Sequence, residues 1–200
     1  DEVRAAIACA ARTLKLIVEP GGAVALAGVL AGRIETRGRT VAVVLSGGTS
    51  KGEGDLSYRV VAELEPGILV HGVALKPGKP ICLAAQRGKP VVILPGFPTS
   101  AVFTFHEFVA PVLRRLAGTP PLERETARAT LALRTHTERG RLEYLLVGLV
   151  RGEDGALRAY PMGKGSGSVT TWSRADGFVR LERNLEIVEA GSDVEVTLLG

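Results

Sequence analysis

The sequence predicts an α/β domain, built on a mainly parallel sheet layered with helices, followed by a small β-barrel-like domain. Helical patterns alternate with short apolar strands as far as residue 118. A stiff segment, TPPLERE at 119–125, then marks a change of composition, and beyond it short strands are separated by turn signals such as GEDG. Because 200 residues suffice for two small domains with separate cores, we expect domains at 1–118 and 124–200.

The helices and strands of the first domain are predicted from the spacing of apolar residues and from the Gly and Pro residues that separate them. Residues 1–33 are predicted to form two helices, the first capped by Asp1 and the second closed by Gly32. TVAVVL at 40–45 is apolar on both faces, which is typical of a covered central strand in a parallel sheet. Three more strands and a long helix bent at Pro111 are predicted in ILVHGVAL, PICLAA, PVVIL and TSAVFTFHEFVAPVLRRLAG.

The second domain reads as a succession of short strands. Its one helical turn is expected in SVTTWSRA. The strands are expected in RATLALRTH, RLEYLLVGLV, ALRAYPM, GFVRLE and SDVEVTLL.

Composition and charge argue against several functional classes. The net charge is +4 without a basic run and aromatic residues are 4 %, so we expect no nucleic-acid partner. Cys9 and Cys82 lie far apart without a CxxC or Cys/His pattern, which predicts neither a disulfide framework nor a zinc site. No apolar run reaches the roughly 20 residues of a membrane span, so a cytoplasmic protein with no membrane contact is expected.

The segment SGGTSKGEGD at 46–55 has the layout of an anion-binding turn. A buried strand leads into Gly47 and Gly48, whose backbone N–H groups can approach an oxyanion, and a helix is predicted to start near Asp55. An ordinary strand-to-helix connection would use the same turn residues, so both interpretations stay open at this point.

Two further turns follow predicted strands. LKPGKP places Lys76 and Lys79 three residues apart, and an anion would relieve the repulsion between their ammonium groups; the alternative is two solvated lysines. LPGFPTS contains Pro95 and Pro98, which restrict the backbone before the long helix. Because ligands bind at the carboxyl ends of strands in α/β sheets, we expect the three turns to form one site.

Taken together, SGGTSKGEGD, VHGVALKPGKP, LPGFPTSAVFTFHEFVAPVLRRLAG and GKGSGSVTTWSRADGFVRLE resemble the C-terminal half of molybdopterin molybdenumtransferases, the family of MoeA and of the gephyrin E domain. The resemblance runs from about residue 45 to 200. It implies insertion of molybdate into adenylylated molybdopterin with Mg²⁺, releasing AMP and molybdenum cofactor. It also implies a molybdopterin-binding-like α/β domain followed by a small β-barrel-like domain.

The resemblance also assigns roles by position. Asp55 would be a catalytic residue that binds the metal, while Lys76 and Lys79 would be catalytic residues that bind phosphate or oxyanion. Phe97 departs from the family, which usually has Asn between the glycine and the second proline of this turn. The pterin and its phosphate would be bound by Ser46, Gly47, Gly48, Thr49, Ser50, Pro95, Pro98, Ser166 and Gly167.

The N-terminal segment has a different resemblance. Residues 1–48, with EPGGA and VVLSGG, resemble the end of pyridoxal-phosphate threonine dehydratases, where Glu19 would face the cofactor and Ser46 would contact the pyridine nitrogen. Thr49 stands where that family has Asn, and its Schiff-base lysine lies upstream of the matching segment. The sequence therefore suggests a chimera in which residues 1–40 are a foreign helical segment on the transferase-type sheet.

Three functional hypotheses result. The first is a molybdenumtransferase-type domain pair that binds a pterin phosphate and molybdate but is incomplete alone, because in the family an N-terminal domain completes the site across a homodimer. The second is a non-catalytic recombined or scaffold protein with a vestigial anion pocket. The third, a pyridoxal-phosphate lyase, is disfavoured because the Schiff-base lysine has no counterpart here.

Overall fold

The computed structural model describes residues 1–10, 12, 24–33, 61–86, 88–163 and 169–199. The predicted strand at 40–45, the turn at 46–55 and Glu19 lie outside the described residues, as do Ser166 and Gly167.

The N-terminal segment contains two helices, α1 (Glu2–Cys9) and α2 (Val24–Leu30). They pack through a small apolar cluster formed by Ala6, Ala10, Leu26 and Ala27. Gly32 has a φ of +66°, the left-handed conformation with which glycine ends a helix, so the predicted end of the second helix is confirmed.

Three strands of the first domain form a sheet in the order β1 (Pro66–His71), β3 (Cys82–Gln86) and β4 (Lys89–Ile93). Both pairings among these described strands are antiparallel, whereas the sequence predicted a mainly parallel sheet around the strand at 40–45, which lies outside the described residues. For β3 and β4 the cause is local, because they are joined by only two residues, and so short a connection can link only antiparallel neighbours. The α/β layering itself is as predicted.

The predicted long helix begins at Pro98 and ends at Leu116, but it is not uniform. It consists of α3 (Pro98–Thr104), a π-helical segment (Phe105–Val109) and α4 (Ala110–Leu116). The sequence predicted a bend at Pro111, and the irregularity instead occupies the turn before it. Because Pro111 has no N–H to donate to the preceding turn, a widened turn at this place has an evident cause.

The second domain is a barrel whose strands are β5 (Thr126–Leu131), β7 (Leu142–Arg151), β8 (Leu157–Pro161), β9 (Gly177–Leu181) and β11 (Asp193–Leu198). They are bonded in the order β7, β8, β5, β11 and β9, and β9 pairs again with β7, which closes the ring. Leu131, Val147, Ala159 and Val196 are completely buried inside it. The short strands β6 (Thr135–His136) and β10 (Ile187–Val188) pair beside the barrel, and α5 (Val169–Arg174) is the predicted helical turn.

A two-residue strand from the first domain extends the barrel sheet. Strand β2 (Leu75–Lys76) runs parallel to β7, with Leu75 opposite Leu142 and Lys76 opposite Glu143. The predicted strand ILVHGVAL is therefore divided in two, and Gly72, with a φ of +84°, lies in the break between β1 and β2. This pairing brings the Lys76 turn against the second domain. Among the described helices, none is both long and apolar enough to cross a membrane.

Candidate functional site

A cavity of about 350 Å³ lies where the turn after β2, the start of α3 and the first half of β7 meet. This volume is in the range of small-molecule sites. Its inner wall is apolar, and both lysines predicted to bind an anion, Lys76 and Lys79, line it. The apolar wall consists of Leu75, Phe103, Leu145, Leu146 and Met162.

Gly78 holds the lysine turn against the long helix. Its φ is +125°, which side-chain-bearing residues rarely adopt, and a Cβ at this position would lie 2.5 Å from Cγ2 of Thr104. Thr104 is completely buried and donates a hydrogen bond of 2.7 Å from its hydroxyl to the carbonyl oxygen of Ser100. The turn can therefore approach the helix this closely only with glycine.

Lys76 is neutralised by two carboxylates of the second domain. Its Nζ lies 2.9 Å from Oε1 of Glu138 and 3.5 Å from Oε2 of Glu143. The Glu143 side chain is only 3 % exposed, whereas that of Lys76 is 31 % exposed. Burial of a carboxylate without a nearby cation raises the free energy of the folded state. The pair of Lys76 and Glu143 therefore stabilises the second domain, whether or not a ligand is bound.

Glu143 is a site residue that the sequence reasoning missed. A signal was present, because Glu143 interrupts the apolar strand RLEYLLVGLV at a position next to the buried Tyr144. Buried charges in strands usually have a partner, and this one is Lys76, 67 residues earlier.

Lys79 differs from Lys76 because it is exposed and forms no ion pair with the described residues. The third cation at the cavity, Arg141, pairs with Glu138. The cavity thus has three cations, Lys76, Lys79 and Arg141, and two carboxylates, Glu138 and Glu143. The excess positive charge is that of Lys79. Within the described part of the cavity, Lys79 is the ammonium group best suited to meet an oxyanion.

The opposite rim comes from the predicted proline turn. Pro95 is buried and Pro98 is exposed at the first turn of α3, and neither proline lines the cavity. The neighbouring residues Phe97 and Thr99 do, and Phe97 is 60 % exposed. The two prolines shape the backbone, while the ring of Phe97 is the surface available to a ligand.

An aromatic cluster forms the floor of the cavity and joins the domains. Phe103 of α3 stacks on Tyr144 of β7 with ring centroids 4.7 Å apart, and its edge contacts Trp172 and Phe178. The Tyr144 hydroxyl donates a 2.6 Å hydrogen bond to Oε2 of Glu107. Burial, together with this bond to a carboxylate, raises the pKa of Tyr144, so its hydroxyl stays protonated at alkaline pH values at which an exposed tyrosine ionises.

Most of the predicted site residues lie outside the described part of the chain, so their proximity to the cavity stays a prediction. In the described ranges, no group of three His, Cys, Asp or Glu side chains could hold a metal ion. The predicted site residues that are not described are Ser46, Gly47, Gly48, Thr49, Ser50, Asp55, Ser166 and Gly167.

Two family models match the chain in succession. Residues 24–115 match a probable molybdopterin binding domain, and residues 128–199 match the MoeA C-terminal region, domain IV. The first match begins inside the segment 1–48, whose resemblance to threonine dehydratases, with the chimera that it suggests, stays a prediction.

The chain is similar to curated and solved proteins of molybdopterin biosynthesis. It is 33 % identical over 159 residues to a molybdopterin biosynthesis protein of Methanocaldococcus jannaschii, covering 79 % of this chain and 36 % of that protein. It is 30 % identical over 165 residues to the molybdopterin molybdenumtransferase of Nostoc sp., covering 78 % and 37 %. The structure of the molybdopterin biosynthesis MoeA protein from Pyrococcus horikoshii superposes with a TM-score of 0.60 at 38 % identity, covering 76 % of this chain and 36 % of that one.

The chain thus spans a little over a third of the length of these relatives. The order of the matched domains agrees with the observed α/β domain and closed β barrel. These matches and relatives support the MoeA family for this chain, which carries a molybdopterin-binding-type domain followed by a MoeA C-terminal domain.

Proposed function

We propose that this chain acts in molybdenum cofactor biosynthesis, in the cytoplasm, by binding a pterin phosphate for the insertion of molybdate into adenylylated molybdopterin. The observation that carries the proposal is the position of Lys79. It is an exposed cation without an ion-pair partner among the described residues, and it lies at the rim of a largely apolar cavity in a domain of molybdopterin-binding type. A planar heterocycle bearing a phosphate combines the two properties that such a cavity matches.

The two lysines have different tasks in this proposal. Lys79 meets the phosphate or molybdate oxygens directly. Lys76 contributes positive potential but is held by Glu138 and Glu143, so it mainly fixes the turn that carries Lys79. The residues 46–50, with Ser166 and Gly167, would supply backbone N–H groups and hydroxyls to the same ligand.

Mg²⁺ is part of the proposal only through Asp55, as the resemblance implies. Asp55 lies outside the described residues, and the described carboxylates at the cavity are engaged by Lys76.

The resemblance further suggests a homodimer in which another domain completes the site. Analytical ultracentrifugation of the chain tests this assembly separately. A monomer at all concentrations would contradict the homodimer without affecting the binding proposal.

The second candidate function is a non-catalytic recombined or scaffold protein in which the anion pocket is vestigial. The pairing of Lys76 with Glu138 and Glu143 favours this second candidate. Because of that pairing, one uncompensated cation remains for an anion in the described part of the cavity. The two candidates differ in binding: the first predicts saturable binding of a pterin phosphate or molybdate, whereas the second predicts none.

Titration calorimetry with AMP tests the proposed binding. Replacing Lys79 by Ala removes a charge-assisted contact and is expected to weaken AMP binding by about tenfold. Lys89→Ala is the matched control, because Lys89 is an exposed lysine on β4 that does not line the cavity. Equal affinities of the parent and of both variants would show that the Lys79 cavity does not bind the phosphate.

A further inference from the structure

A second cavity of about 470 Å³ lies at the far end of the long helix, between α4 and the linker to the barrel. It shares no lining residue with the first cavity. The helix contributes His106, Arg114 and Arg115, and the linker contributes Leu122 and Arg124. Nothing in the proposed function uses this second cavity.

The titratable side chains that line the described part of this cavity are all basic. Among the described residues its lining includes three arginines and a histidine but no carboxylate, and Arg114, Arg115 and Arg124 form no ion pair with those residues. Burial and the nearby Arg124 lower the pKa of His106, which agrees with a locally positive field. Guanidinium groups that line one cavity repel one another, and a bound anion would offset the repulsion.

Two of the three guanidinium groups are already held in place. Nη1 of Arg114 donates a 3.0 Å hydrogen bond to the carbonyl oxygen of Pro120. The guanidinium carbon of Arg124 lies 5.6 Å from the centre of the Phe178 ring. Side chains that are fixed before binding lose less entropy when a ligand binds. The two contacts therefore favour a ligand-binding site over a patch of solvated arginines.

The remaining wall is apolar. Ala110, Pro111, Pro121 and Leu122 line the cavity, and Leu122 is 52 % exposed although its side chain is large and hydrophobic. A simple inorganic anion would use the arginines but leave this wall in water. An organic phosphate would contact both.

We propose that this second cavity binds a phosphate-bearing small molecule with an apolar or aromatic portion, of the nucleoside diphosphate class. The planar guanidinium group matches phosphate oxygens in a bidentate manner, and three such groups suit a diphosphate better than a single carboxylate. The cavity volume falls in the range of small-molecule sites.

Titration calorimetry with ADP tests the proposal, and all measurements use the full chain with Lys79→Ala, which is expected to weaken phosphate binding at the first cavity. We expect saturable ADP binding and much weaker binding of uncharged adenosine. Arg115→Gln should weaken ADP binding by about tenfold, and Arg115→Lys, which keeps the charge but not the planar group, should lie between. The matched control is Arg128→Gln, which removes the charge of an exposed arginine on β5, outside the cavity.

Arg115 is chosen because it is exposed and anchors no other group, and a thermal melt followed by circular dichroism checks that the variants are folded. Absence of ADP binding would overturn the proposal. Equal losses in Arg115→Gln and Arg128→Gln would also overturn it, because they would reveal only a general charge effect. All of these measurements share the Lys79→Ala background. Absence of ADP binding to the second cavity would therefore not contradict the proposed function of the first cavity.

Discussion

Glu143 and Lys76 form an ion pair across the two domains, with Oε2 of Glu143 3.5 Å from Nζ of Lys76. Their strands, β7 and β2, run parallel and place these two residues opposite each other. The carboxylate is almost fully buried while the ammonium group reaches the cavity. The pair therefore couples the stability of the barrel to the turn that carries Lys79.

Replacing Lys76 by Ala should destabilise the protein more than replacing an exposed lysine. The change leaves the buried Glu143 without this ammonium group, and breaking a buried pair costs about 3 kcal/mol. Because Lys76 is partly exposed and water can enter, we expect about 2 kcal/mol in urea unfolding. Lys89→Ala should be nearly neutral.

The same pair predicts a rescue. In the double variant Lys76→Ala/Glu143→Gln the buried charge is gone as well, so part of the lost stability should return. A double variant whose loss equals the sum of the single losses would show that the two residues are not coupled.

Tyr144→Phe should lower stability at neutral pH by about 1 kcal/mol, because it removes the hydrogen bond to Glu107. The pKa of Tyr144 is raised in the folded state, so this contribution is complete below the unfolded pKa of about 10 and is lost as the pH rises above it. The difference between parent and variant in urea unfolding should therefore shrink between pH 9 and 11, by about 1 kcal/mol at most. A constant difference over this range would contradict the role of the hydroxyl proton.

Phe97 should influence ligand affinity if the first cavity binds AMP as proposed. Its exposed ring at the rim can stack on a planar base, a contact worth roughly 1 kcal/mol or more. Phe97→Ala should weaken AMP binding about fivefold, and Phe97→Trp should retain the affinity while its fluorescence is quenched by AMP. Leu133→Ala, which truncates another exposed apolar side chain away from the cavity, is the control. If Phe97→Ala binds AMP as tightly as the parent, the ring makes no contact with the ligand.

Gly78→Ala should be more damaging than a comparable change elsewhere. Gly78 and Gly140 both have a positive φ, but a Cβ at Gly78 would clash with Thr104, whereas no described atom lies within 4 Å of a Cβ at Gly140. Gly140→Ala should cost about 1 kcal/mol from backbone strain alone, and Gly78→Ala about 2 to 3 kcal/mol in thermal or urea unfolding. Equal costs would mean that the turn does not pack tightly on the long helix.

Much of the local structure could be predicted because its signals are local. The helix predicted at 99–118 begins at Pro98 and ends at Leu116, and the strand predicted from GFVRLE is observed at Gly177–Leu181. Apolar periodicity and Gly or Pro punctuation act within a few residues of the chain, so they determine where an element begins and ends. The same signals located the turn that carries Lys76 and Lys79.

The different environments of these two lysines were decided by the tertiary structure. In the sequence Lys76 and Lys79 look equivalent, but only Lys76 comes within reach of Glu138 and Glu143 once β2 joins the barrel. The hydrogen bond between Tyr144 and Glu107, which are 37 residues apart, arises in the same way. So does the lining of the second cavity by three arginines. The sequence alone determined where most of the described helices and strands lie, and it located the turn that carries Lys76 and Lys79. The partners of each charge depended on the tertiary structure, because electrostatic interactions act over a few ångströms in space between residues that the chain keeps far apart.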